Sequence, residues 1–101
     1  MKYQVEENCL TIFLPSEVDH HNAEKIRRKS DRLIEKHHIK CVIFDFGETN
    51  FMDSSGIGLL MGRYKLMKAL GGRIFISHAG ERIRKVLMLS GIHKIIPMER
   101  E

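Results

Sequence analysis

The sequence predicts an α/β fold: one mixed, mainly parallel β-sheet with an N-terminal hairpin and helices packed against it. Three observations predict it. Two short strand-like runs open the chain; from residue 19 onward helix-periodic and strand-like stretches alternate; and 101 residues with 43% hydrophobic and 30% charged content suit one soluble core. The expected organisation is a single domain over residues 1–101.

Residues 3–14 (YQVEENCLTIFL) hold the two runs around Glu6, Glu7 and Asn8, which reads as a hairpin ended by Pro15. Asp19 or Asn22 can cap a first helix whose apolar positions Ala23, Ile26, Leu33 and Ile34 share one side, with Arg27, Arg28, Lys29, Asp31 and Glu35 on the others. Residues 41–46 (CVIFDF) read as a buried strand, and residues 55–70 (SGIGLLMGRYKLMKAL) as a second helix. Gly71 and Gly72 stop that helix before a strand over residues 73–77 (RIFIS). Residues 81–90 form a third helix with Ile83, Val86 and Leu87 inward, Gly91 as its left-handed terminator and Ile92 as the apolar contact that follows. Ile95 and Ile96 suggest a last short strand.

Composition narrows the function classes. No apolar run approaches the roughly 20 residues of a membrane helix, and no signal peptide opens the chain, so the cytoplasm is the expected location and no membrane partner is expected. Cys9 and Cys41 lie in apolar runs, as buried reduced thiols do. The net charge of +4 permits an acidic partner or nucleic acid, but the basic residues are scattered among acids, and aromatic residues are not interleaved with the basic face of the first helix. Direct nucleic-acid binding is therefore not expected.

The chemistry concentrates at FMDSSGIGLL, residues 51–60. A helix start leaves free N–H groups that small hydroxyl and carboxylate side chains cap, and Asp53, Ser54 and Ser55 all fit that role. One cap suffices, so a serine is left over. On the helical wheel Ile57, Leu60, Met61, Tyr64 and Met67 form one apolar arc, and Leu59, Leu66 and Leu70 a neighbouring one. Ser55, Gly58, Gly62, Lys65 and Ala69 make up a stripe almost without bulk. Interior glycines cost a helix roughly 1 kcal/mol each against alanine, so close approach should recover that cost. Either the stripe packs inside the molecule, or it is a flat docking surface. Ser55 also stands where a phosphate is well received, at the positive end of a helix dipole.

Catalytic readings find less support. A Ser55 nucleophile would make a small serine hydrolase or phosphotransferase, but the G-x-S-x-G elbow is absent and none of the six histidines (His20, His21, His37, His38, His78, His93) is tied to Ser55 by spacing. The paired histidines make poor metal ligands, since helical neighbours point about 100° apart, and no Walker motif is present. Neither metal nor cofactor is expected.

Four stretches together resemble the STAS domains, and within them the anti-sigma factor antagonists of the sporulation branch. They are EVDHHNAEKIR (17–27), FMDSSGIG with GRYK (51–58 and 62–65), LGGRIFIS (70–77) and LSGIHKII (89–96), in the family's order. The resemblance implies a non-catalytic binding switch. The second serine of DSSG, Ser55 here, would be phosphorylated by the anti-sigma factor, itself a serine kinase that binds the ATP. The unphosphorylated form would bind that partner and free the sigma factor, and a serine phosphatase would reverse the modification. The resemblance places Asp19, His20 and His21 in a loop near the phosphosite, and has Asp53 and Ser54 set up the helix entry; Gly58, Gly62 and Lys65 complete the expected partner-binding set. Two departures stand out. Ser16 replaces the family's glycine before Glu17, Val18 and Asp19, so the local turn is expected to differ. Family members commonly carry a further C-terminal helix, whereas this sequence stops at Glu101, so one side of the sheet is expected to be less covered.

Overall fold

The computed structural model describes residues 1–99. Strands β1 (Lys2–Glu6) and β2 (Cys9–Phe13) form the N-terminal hairpin, and Glu7 takes the left-handed conformation at its turn with φ of 56°. A two-residue strand β3 (Glu17–Val18) leads into α1 (His20–Lys36), followed by β4 (Cys41–Asp45), a second two-residue strand β5 (Phe51–Met52), α2 (Ser54–Ala69), β6 (Arg73–Ser77) and α3 (Glu81–Ser90). A short 3₁₀ turn, Ile92–Lys94, follows Gly91, whose φ of 82° is the left-handed stop expected of it.

The main sheet has the order β1-β2-β4-β6, with β1 antiparallel to β2 and the other two pairings parallel. Alternation along the strands divides its two faces. Leu10, Ile12, Val42, Phe44, Ile74 and Ile76 point to one side and are buried, where Ala23, Ile26, Leu33 and Ile34 of α1 and Leu59, Leu60 and Met67 of α2 cover them. Burial on this scale stabilises by roughly 1.5–3 kcal/mol for each large side chain and is the main force holding the helices on the sheet. Cys9, Thr11, Phe13, Cys41, Ile43 and Phe75 point the other way and are only half-buried.

Three details differ from the expectation. The apolar pair Ile95 and Ile96 forms no strand: the 3₁₀ turn before it carries on through bonds from the N–H groups of both residues to the carbonyl of Ile92, and Ile96 drops into the core as a plug. The chain instead rejoins the sheet at Met98, bridged in parallel to Ile76 by bonds from Ile76 N to Pro97 O (2.9 Å) and from Glu99 N to Ile76 O (2.8 Å). Cys9 and Cys41 are free and half-buried on the less covered face, not in the core. They are register partners on β2 and β4, and desolvation, helped by the hydrogen bond with Cys41, raises the Cys9 thiol from 9.0 to about 12. No helix is long and apolar enough to cross a membrane among the described residues.

Candidate functional site

The site grows from the small parallel pair β3 and β5, where Glu17 faces Phe51 and Val18 faces Met52. The carbonyl of Ser16 accepts from both Asn50 N (2.8 Å) and Phe51 N (3.1 Å), which fixes that pairing at the bend before β3. Each strand is followed at once by an aspartate in an extended conformation and then by a helix. Asp19 and Asp53 have nearly the same backbone angles, φ −103° and −102°, and each carboxylate caps its helix. Asp19 Oδ1 accepts from Asn22 N at 2.9 Å, and Asp53 Oδ1 from Ser55 N at 2.8 Å. Two helix N-termini thus start side by side, held by the bond from Asp53 N to Val18 O, and each dipole is matched by its own capping carboxylate.

This resolves the capping question left by three polar residues. Asp53 is the cap, while Ser54 and Ser55 occupy the first two helical positions. Ser54 is exposed and Ser55 half-buried, and because the Asp53 carboxylate accepts from the Ser55 N–H, neither serine hydroxyl is the helix cap. Asp19 and Asp53 serve as caps. His20 and His21 are not in a loop: because Asp19 caps α1, both fall in its exposed first turn.

The stripe on α2 is open. A methyl group added at Gly58 or Gly62 would meet nothing within 4 Å, and Lys65 and Ala69 continue the stripe on the exposed side. Gly56 behaves oppositely: a Cβ there would drive into Met52 and approach Val18 Cγ1 to 3.2 Å, which is where helix and β3–β5 pair press together. Of the two readings of the stripe, internal packing therefore fails at Gly58 and Gly62.

A cleft of about 260 Å³ separates the first turns of the two helices and is lined by His20, Ala23, Glu24, Arg27, Ser55, Gly58 and Leu59. The structure thus brings His20 together with Ser55 and Gly58, whereas His21 and Lys65 lie outside that cleft. Arg27 grips Glu24 through Nη2 to Oε1 at 2.6 Å and Nε to Oε2 at 3.1 Å, and this hydrogen bonding holds the Glu24 carboxyl below its ordinary range. Arg27 Nη1 also lies 3.6 Å from Asp31 Oδ2, and Arg28 Nε lies 4.0 Å from Glu24 Oε1. The basic face of α1 is thereby interleaved with acids, which weakens it as a nucleic-acid surface.

Sequence reasoning missed Arg63. It sits in the middle of the buried face of α2 with its side chain only 10% exposed, and Asp31 of α1 comes within 3.1 Å of its Nε but off the N–H axis. Burial lowers the guanidinium pKa and Asp31 opposes that shift. The wheel carried the signal, because Arg63 falls between the Leu59 arc and the Leu60 arc, where an exposed residue has no room. His78, exposed after β6, pairs its Nδ1 with Asp45 Oδ2 at 3.1 Å. Among the described residues, no group of three or more His, Cys, Asp or Glu side chains is placed to hold a metal.

The sequence matches the STAS domain family over residues 1–101. The anti-sigma F factor antagonist of Paenibacillus polymyxa is 31% identical over 102 residues, spanning 97% of this chain and 87% of that protein. The solved structure of the anti-sigma factor antagonist SpoIIAA in its unphosphorylated form superposes with a TM-score of 0.78 at 31% identity, over 99% of this chain and 89% of that one. That of the Bacillus cell fate determinant SpoIIAA in the phosphorylated form gives 0.75 at 33% identity, over 99% and 93%. With a family model that matches residues 1–101 and relatives similar along nearly their whole length, the chain belongs to the STAS domain family.

Proposed function

We propose that the protein is an anti-sigma factor antagonist of the sporulation type, a cytoplasmic binding switch without catalysis of its own. Its unphosphorylated form binds an anti-sigma factor that is also a serine kinase, with ATP bound by that partner, and so releases the sigma factor. Phosphorylation of Ser55 switches binding off and a serine phosphatase restores it. The observation that carries this reading is the position of Ser55. Its hydroxyl is free of capping because Asp53 does that work, and it borders a stripe where a side chain added at Gly58 or Gly62 would meet nothing and Lys65 is exposed. The names of the relatives, and the phosphorylated form in which one was solved, support it. Asp19, His20, Asp53 and Ser54 border the same surface at the paired helix starts. His21 is exposed in the turn beside them.

A phosphate at Ser55 would add about −1.5 to −2 charges and considerable bulk beside the stripe, where a partner's surface would have to be desolvated. The rival reading of Ser55 as a nucleophile requires a base in contact with its hydroxyl. His20 shares the cleft, yet no hydrogen bond joins it to Ser55 among the described residues, and Asp53 is committed to the helix cap. The test is to incubate the purified protein with the cognate anti-sigma kinase and ATP and take the intact mass. One phosphate gained by the parent and none by Ser55→Ala is the expected outcome. No gain in the parent would sink the switch.

A further inference from the structure

We propose that Arg27 is the intramolecular receiver of a phosphate on Ser55: the modification takes Arg27 from Glu24 and draws it across the cleft between α1 and α2. The inference rests on reading Ser55 as the acceptor and goes on to say what the phosphate does inside the molecule.

Four features carry it. Ser55 of α2 and Arg27 of α1 line one cleft of about 260 Å³, so a group added to Ser55 enters the space that the guanidinium borders. At the two helix starts that flank the cleft the dipoles are already matched by the capping carboxylates of Asp19 and Asp53, so a further anion there calls for a side-chain cation. Arg27 is 43% exposed and on a flexible stem, free to change partners. The charges around it also allow the exchange without leaving an acid alone. Glu24 keeps Arg28, already 4.0 Å from its carboxylate, and Asp31 keeps Arg63 at 3.1 Å. A phosphate dianion is the stronger acceptor for a guanidinium than a half-exposed carboxylate, and it accepts two parallel N–H bonds in the same way. The groups facing the cleft are His20, Glu24 and Arg27 from α1 and Ser55 from α2, with Asp53 at the start of α2. Within this set Glu24 is the competitor and Arg27 the permanently charged cation.

The consequence is that phosphorylation alters more than the charge on the stripe. Tying Arg27 to the phosphate joins the first turns of the two helices, so the phosphorylated form presents a filled cleft where the unmodified form presents an open one.

The experiment places phosphoserine at position 55 during translation, which makes it independent of any kinase, and follows the phosphorus resonance through a pH titration. In the parent the second ionisation falls below the ordinary value of about 6. Arg27→Gln raises it by about half a unit or more, as loss of an adjacent opposite charge requires, and Arg27→Lys recovers part of the shift. Arg28→Gln removes the same charge one residue away, outside the cleft, and moves the midpoint much less. A titration of Arg27→Gln that superimposes on the parent, or equal shifts from Arg27→Gln and Arg28→Gln, overturns the proposal. A chain the kinase does not phosphorylate would defeat the switch but leave this titration to be read, so the two failures are distinguishable.

Discussion

The three glycines of α2 divide between opposite faces of the helix. Gly56 lies where a side chain would collide with Met52 and Val18, while Gly58 and Gly62 look into open space. Both kinds weaken the helix equally as isolated residues, by roughly 1 kcal/mol against alanine. On the buried face that loss is offset inside the molecule, by bringing α2 close to the β3–β5 pair. On the open face nothing within the chain offsets it. An unrecovered loss on a helix that folds well is the kind of feature a partner explains, and it coincides with the serine left free by its neighbour's cap.

The largest expected break of this comparison is on the buried side. Gly56→Leu should cost about 3 kcal/mol by overpacking, read as a lower urea midpoint with unchanged slope. Asp31→Ala comes next. It leaves the Arg63 guanidinium buried without a counterion, and because the Asp31 side chain is 34% exposed the loss should be about 2 kcal/mol, short of the full figure for a buried pair. Arg63→Met in the same assay should be near neutral, since it removes the charge with its partner's burden. On the open side the sign reverses. Gly62→Ala should stabilise by up to about 1 kcal/mol, and Gly62→Met should keep the fold while weakening partner binding tenfold or more, about 1.4 kcal/mol. A loss of stability in Gly62→Met would mean that the stripe packs internally after all.

The smallest effect comes from the less covered face of the sheet. Cys9 keeps its proton up to about 12 when folded, whereas the unfolded thiol ionises near 9.0. Above that lower value the unfolded chain binds fewer protons than the folded one, so stability should fall as pH rises from about 9, with a slope no steeper than one proton. Urea melts of the parent and Cys9→Ala between pH 8 and 10 check this, and the slope should diminish in the variant.

Most of the architecture was legible because each long element carried its own period and its own stops. Ala23, Ile26, Leu33 and Ile34 mark the buried side of α1, and Gly91 ends α3 as a residue tolerant of positive φ must. The β3 and β5 strands were not legible, since two residues are too few to show alternation, and it is their pairing that sets the two helix starts side by side. Ile95 and Ile96 misled for the opposite reason: a β-branched apolar pair after a glycine looks like a strand, but the 3₁₀ turn at Ile92 uses their N–H groups and the sheet contact passes to Met98. At the start of α2, the Asp53 cap and the small-residue stripe were readable from capping rules and helical phase. The Arg27 and Glu24 wall of the cleft was not, because it depends on how α1 lies against α2, which no local pattern encodes.

The central claim is that the open face of α2 is a docking surface controlled from Ser55. It is tested most directly by titrating the anti-sigma partner calorimetrically with the unmodified protein and with the protein carrying phosphoserine at position 55. The phosphate should weaken binding by about a hundredfold, roughly 2.7 kcal/mol. Equal affinity of the two forms would contradict it.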